Sequence, residues 1–149
     1  ADGTESVRYL FSANKNRPLE SVADIASGGE ISRLMLTIKS LAADATALPT
    51  IIFDEIDTGV SGEIADKMGE IMAGMARYMQ VIAITHLPQV ASRGKTHYRI
   101  YKDEDGETTQ TRIELLDDNR RVQEVARMLS GSQLTDAAMK NARELLNRK

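Results

Sequence analysis

The sequence predicts an α/β fold: a mainly parallel sheet covered by helices, followed by a C-terminal β-hairpin and two helices. Three observations carry this expectation. Apolar residues recur at helical offsets from Gly28 to about Ala43, and again after Ser61. Each stretch leads, through a short connection, into a continuous apolar run, Thr50–Phe53 and then Val81–Thr85. Helix, strand, helix and strand in that order favour parallel pairing, because the crossover between parallel strands is usually a helix. Beyond them, polarity alternates on both sides of Asp105-Gly106, which is a hairpin signal.

The elements follow in order. Val7–Ser12 is rich in β-branched and aromatic residues and reads as a short strand. Asn14–Leu19 is turn-like, with Pro18 forbidding a continued regular element. The first helix places Ile31, Leu34, Met35, Ile38, Leu41 and Ala42 on one face. Ala47-Leu48-Pro49 ends it. Thr50–Phe53 is then expected to be a strand buried on both faces. Asp57–Gly62 is a loop in which Ser61 can cap the second helix. That helix carries Ile64, Met68, Ile71, Met72, Met75 and Met79 on one side, and its methionines read as core filler. The second buried strand ends at His86-Leu87-Pro88. His97–Tyr101 and Thr108–Leu116 form the hairpin. Helices of about Arg120–Leu129 and Leu134–Asn147 follow, separated by Ser130-Gly131-Ser132. No repeat, low-complexity tract or linker interrupts the chain, so residues 1–149 read as a single domain.

Bulk properties narrow the function classes. With 42% hydrophobic and 28% charged residues, the composition is that of a soluble globular protein. No run approaches the roughly 20 apolar residues of a membrane helix. No basic-then-apolar leader opens the chain, so a cytoplasmic location and no membrane partner are expected. The absence of cysteine excludes thiolate zinc sites and fits a reducing compartment. A net charge of −3 gives no global field for DNA or anionic lipid. The first residue is not Met, which fits a piece of a longer parent.

Two clusters carry chemistry. Ser27-Gly28-Gly29-Glu30 opens the first helix. Ser27 and Glu30 have capping-box spacing, and that is one reading. A capping box gains nothing from two glycines, each costing up to roughly 1 kcal/mol against Ala in a helix. Glycines there also let an anion approach bare N–H groups at the positive end of the helix dipole, which is the other reading. Asp54-Glu55 ends an apolar strand, at the edge where α/β sheets bind ligands. Successive strand side chains point opposite ways, so without a turn the two carboxylates divide their labour. One can hold Mg²⁺, which takes few protein carboxylates. The other can orient a water for attack on a γ-phosphate.

His86 ends the second strand and should emerge along the same edge as Asp54. It is either structural or part of that crevice. His97 reads as structural, and Arg120-Arg121 and Arg148-Lys149 as solvated helix faces. No G-x-x-x-x-G-K-[ST] occurs anywhere, so this sequence contains no phosphate-cradling P-loop.

With those motifs on the page, a resemblance is plain. Ala26–Glu30 resembles the ABC signature, Thr50–Glu55 the Walker B strand, Asp57-Thr58-Gly59 the D-loop and Thr85-His86 the switch-histidine loop. The wording ASGGEISRLML, IIFDEIDTGVSG and ITHLPQVAS is similar to the C-terminal part of the RecN family, SMC-like ABC ATPases of bacterial double-strand break repair. The resemblance implies the C-terminal lobe of an ABC-type ATPase head, whose P-loop comes from the N-terminal lobe of the same parent. It further implies ATP and Mg²⁺ as ligands once that lobe is present, a second head as homodimer partner, and DNA as partner of the full-length protein in the nucleoid. Under it Ser27, Gly28, Gly29 and Glu30 belong to the signature that meets the γ-phosphate on the partner head. Asp54 supports Mg²⁺, Glu55 polarises the attacking water, Asp57 crosses the interface and His86 senses the γ-phosphate. The missing P-loop implies little or no turnover by this segment alone. Two rivals stand beside this reading: a non-catalytic dimerisation or DNA-contact module, and a transporter ATPase piece. The SMC-like wording of Asp54–Gly62 speaks against the latter.

Overall fold

The structure is a computed structural model that describes residues 3–4, 6–12, 16, 18–22, 28–42, 48–105, 108–131 and 133–148. Near its start, β1 (Leu10–Phe11) pairs antiparallel with β2 (Glu20–Ser21). The strand expected over Val7–Ser12 is thus only two residues long. Val7 and Tyr9 lie exposed, so no burial rewards its extension.

Helix α1 (Gly28–Ala42) occupies the expected span, but its buried contact differs from the expected face. Leu36 is 1% exposed, whereas Met35, Ile38 and Leu41 face outward. The helix carries apolar residues on more than one side, and periodicity alone selected the wider stripe. Leu36 reaches the main core with Ile51, Phe53, Val60, Ala65, Met68, Met72, Met75 and Val90.

Strand β3 (Thr50–Asp54) and strand β4 (Gln80–Ile84) pair in parallel, from Thr50 opposite Gln80 to Asp54 opposite Ile84. The parallel pairing agrees with the helix between them, α2 (Gly62–Met75). Burial on both faces does not. Ile51 and Phe53 point into the core, while Ile52, Ile82 and Ile84 are 62%, 42% and 44% exposed. The described residues supply a helical cover for one face only. Among them β3 and β4 form a two-stranded sheet with both outer edges open.

Ser61 stands at the N-cap of α2, as expected, yet its side chain makes no capping bond. Met68, Met72 and Met75 are buried, in keeping with core filling, but Ile64 is exposed. A single turn not anticipated from sequence, α3 (Pro88–Ala91), follows β4 with Pro88 in its first turn, where a missing N–H costs nothing. It packs closely on α2 at Gly69, where an added Cβ would stand 3.2 Å from the Gln89 carbonyl oxygen.

The hairpin is β5 (Tyr98–Asp105) and β6 (Thr108–Leu115), with Tyr98 opposite Leu115 and Asp105 opposite Thr108. Gly106 lies outside the described residues. Two cross-strand pairs, Tyr98–Leu115 and Ile100–Ile113, leave their side chains exposed. Helices α4 (Asp118–Ser130) and α5 (Asp136–Leu146) bury Val125, Ala126, Ala138 and Ala142 between them. Asp117 caps α4 by accepting from the Arg120 N–H at 2.9 Å. Thr135 caps α5 by accepting from the Ala138 N–H at 3.1 Å. Gly131, at φ +77°, ends α4 in a conformation that favours glycine.

Of the basic side chains, Arg121 is 20% exposed and departs from the expected solvated face, whereas Arg120 and Arg148 keep it at 54% and 55%. Arg121 donates to the Gly94 carbonyl at 2.9 Å, Arg120 pairs with Glu114, and Arg148 lies 3.9 Å from Asp66. The acceptor of Arg121 lies 27 positions away in the chain, which a view of isolated helices could not supply. Among the described residues no helix is long and apolar enough to cross a membrane.

Candidate functional site

Parallel pairing brings the C-terminal ends of β3 and β4 to one edge. Asp54 is the last residue of β3, opposite Ile84. The pairing continues one step further, because the Glu55 N–H donates to the Ile84 carbonyl at 3.1 Å. Glu55 then takes φ +47°, in the left-handed region. That conformation costs a non-glycine residue roughly 1–2 kcal/mol. It breaks the alternation of the strand, and so provides the turn that strand geometry alone denied to Asp54 and Glu55. Both carboxylates are exposed. The turn is secured from the far side, where the Thr58 hydroxyl donates to the Glu55 carbonyl at 3.0 Å and the Val60 N–H donates to the Asp57 carbonyl at 3.1 Å. Val60 is buried in the core and anchors the loop.

Asp57 stands apart from its neighbours. Its side chain is 2% exposed, against 64% for His86. Oδ2 accepts a hydrogen bond from the Thr85 hydroxyl. That hydroxyl accepts in turn from the Leu87 N–H at 3.0 Å. Oδ1 makes no hydrogen bond and faces His86 Nδ1 at 3.5 Å. The loops after β3 and β4 are therefore joined through a buried carboxylate. Asp54, Glu55, Asp57 and His86 thus lie at or just beyond the same end of the sheet, with Asp57 and His86 in contact. Thr85, part of the loop that resembles the switch-histidine motif, has no role of its own assigned from sequence. Its only signal is a hydroxyl ending an otherwise apolar run, directly before a histidine.

The helix-opening motif is less fully described. Gly28 and Gly29 form the first turn of α1. Ser27 lies outside the described residues, as do the bonds that would make it and Glu30 a capping box. His97 behaves as a structural residue: its Nε2 is 3.2 Å from the Gly94 carbonyl. Burial, and next the charge of Arg121, hold its pKa below the ordinary 6.5, although backbone hydrogen bonds oppose the shift. The cleft of about 280 Å³ beside Arg99, Glu114, Arg120, Glu124 and Arg127 lies away from the strand ends, and its charges pair with one another.

Among the described residues no three His, Cys, Asp or Glu side chains gather as a metal cage. Exposed hard oxygens at Asp54 and Glu55 suit Mg²⁺, which keeps waters and phosphate oxygens in its shell and needs only one or two carboxylates. They suit neither a soft metal nor a closed site.

No family model matches the chain. It is 45% identical over 145 residues to the DNA repair protein RecN of Bacillus subtilis (strain 168), covering 97% of this chain and 25% of that one. With RecN of Rickettsia conorii it shares 43% over 147 residues, 99% of this chain and 27% of that one. With RecN of Vibrio cholerae the identity is 40% over 144 residues, covering 97% and 26%. The chain thus spans about a quarter of the length of the curated relatives it matches. Among solved structures it is similar, at a TM-score of 0.59 and 13% identity, to one from work on ATP-driven dimerisation and DNA-stimulated activation of SMC ATPases. That likeness covers 79% of this chain and 70% of the other. At that identity the likeness is one of fold.

Proposed function

We propose that this chain, a RecN-like segment along nearly its whole length, is the C-terminal lobe of an ATPase head in a protein of DNA double-strand break repair and recombination. The observation that carries the reading is the placement of Asp54, Glu55 and His86 at the same end of two paired parallel strands. In α/β sheets that edge is where ligands bind. The open faces of the sheet and hairpin support a missing lobe. Ile52, Ile82 and Ile84 on one, and Tyr98, Ile100, Ile113 and Leu115 on the other, are apolar side chains awaiting cover.

In this function Gly28 and Gly29, with Ser27 and Glu30, form the turn that approaches the γ-phosphate of an ATP held by a second head. Backbone N–H groups at the helix start would meet its charge. Asp54 would hold Mg²⁺ through its water shell. The ion, when bound, would offset negative charge on the phosphates. Glu55 would accept a proton from the attacking water. His86, 64% exposed, would sense the γ-phosphate. The exposed tip at Thr58-Gly59, beside Asp57, would carry the contact across the head–head interface. ATP would clamp two heads, and hydrolysis would release them, in the cytoplasm and on nucleoid DNA.

The test joins this chain to the P-loop-bearing segment of its parent and measures ATP turnover. Glu55→Gln is expected to lower turnover by roughly 10²–10⁴-fold, the range for a general base. Undiminished turnover would refute the role of Glu55. Nucleotide-independent dimers without turnover would favour the non-catalytic module.

A further inference from the structure

We infer that Asp57 and Thr85 act inside their own chain to set the tautomer of His86, holding its proton on Nδ1 and leaving Nε2 bare. This deepens the proposed function, and it rests on that reading only for the purpose the imidazole serves. The geometry stands without it.

The hydrogen bonds run in one direction. Leu87 N–H donates to the Thr85 hydroxyl oxygen at 3.0 Å, and the Thr85 proton goes to Asp57 Oδ2. That leaves Oδ1 of a carboxylate 2% exposed, with no hydrogen bond of its own. A buried carboxylate oxygen without a donor is costly, so it draws any donor within reach. The group that faces it is His86 Nδ1, 3.5 Å away, on a ring 64% exposed and therefore able to turn. A carboxylate accepts only, so the ring nitrogen facing it must carry the proton. A buried carboxylate fixing an imidazole tautomer through Nδ1 is the logic by which histidine is oriented in catalytic triads. Asp57 is thus a positioning residue, and Thr85 supports it. Neutral His86 then presents Nε2 to the strand-end crevice as an acceptor. It becomes a donor there only after taking up a second proton.

The substitution Asp57→Asn makes a sharp test. The new side-chain amide keeps Thr85 as donor, as in the unsubstituted chain, with its oxygen toward that hydroxyl. Its NH₂ then faces His86, and Nδ1 has to accept. The proton should move to Nε2.

The experiment is a long-range ¹H–¹⁵N spectrum of the histidine rings in the 149-residue chain, under mildly alkaline conditions where the tautomers are distinguished. His97, bonded through Nε2 to the Gly94 carbonyl, serves as the internal reference. Expected are Nδ1–H for His86 in the unsubstituted chain and in Thr85→Ser, and Nε2–H in Asp57→Asn, with His97 unchanged throughout. A proton on Nε2 of His86 in the unsubstituted chain overturns the inference, as does an unchanged tautomer in a folded Asp57→Asn. If Asp57→Asn does not fold, the unsubstituted tautomer decides alone: Nδ1–H supports the inference and Nε2–H ends it. The readout needs no nucleotide, so its failure is separable from failure of turnover in the joined parent.

Discussion

Replacing Thr85 by valine removes one oxygen and keeps the shape, which makes it a direct measure of the link between the two strand-end loops. Two hydrogen bonds go with that oxygen. The bond from the Thr85 hydroxyl to Asp57 has a carboxylate as acceptor, and such bonds contribute about 1.5–3 kcal/mol. The bond from the Leu87 N–H, at 3.0 Å, is between neutral groups and contributes about 0.5–1.5 kcal/mol. Valine adds a methyl group in a partly buried place, which offsets part of the loss at about 0.8 kcal/mol per carbon. The expected net destabilisation is about 2–3 kcal/mol. The assay is urea unfolding followed by circular dichroism. With a slope of about 2 kcal/mol/M, the midpoint should fall by roughly 1–1.5 M without a change in slope. Thr85→Ser keeps the hydroxyl and should lose about 1 kcal/mol or less, for one methyl group. A valine variant within about 0.5 kcal/mol of the parent would show that the buried carboxylate does not depend on Thr85.

Three further outcomes are expected. Gly69→Ala should cost about 1–3 kcal/mol in the same assay, because its Cβ would press on the Gln89 carbonyl at 3.2 Å and on Arg93 Cγ at 3.0 Å; a neutral result would mean that α3 moves freely against α2. Asp117→Ala should cost about 1 kcal/mol, whereas Ser61→Ala, which loses no capping bond, should cost a few tenths, roughly an ordinary surface change. His97 has a folded pKa below its ordinary 6.5, so the unfolded chain binds the extra proton first as acidity rises. Its contribution is fully present above 6.5 and is lost as pH falls from there toward the folded value. The difference in stability between the parent and His97→Asn should therefore shrink on acidification through that window, and a difference independent of pH would refute the assignment.

How much could be read from residues alone depended on the kind of interaction. The helix–strand order and the presence of a hairpin were legible because they follow from periods of 3.6 and 2 and from a turn signal. The register was not: Asp105, read in the turn, is a strand residue opposite Thr108. The edge that unites Asp54 with His86 followed from parallel pairing. Three further features were not legible. Ile52, Ile82 and Ile84 read as buried because a strand's sequence records that it will be covered, not which piece of chain does the covering. Leu36 was passed over because α1 is apolar on more than one side. The Thr85–Asp57 hydrogen bond joins residues 28 positions apart, and the Asp57–His86 contact spans a similar separation; neither leaves a periodic trace. Asp57 illustrates this point. Among the acidic residues of its loop nothing local marks it as the one that folds inward, and only the tertiary arrangement makes it so.

The bond between the Glu55 amide and the Ile84 carbonyl has a consequence for regulation. It makes Glu55 a rung between two rails, carried by β4 as much as by β3, with His86 two residues further along the second rail. A displacement of either rail moves both side chains together, so neither can be retuned by shifting its own strand alone. If these groups serve hydrolysis, a DNA or partner signal would have to work by bringing the opposing surface into place around an already set pair. Timing would then reside in assembly, and the rung itself would be a fixed anvil.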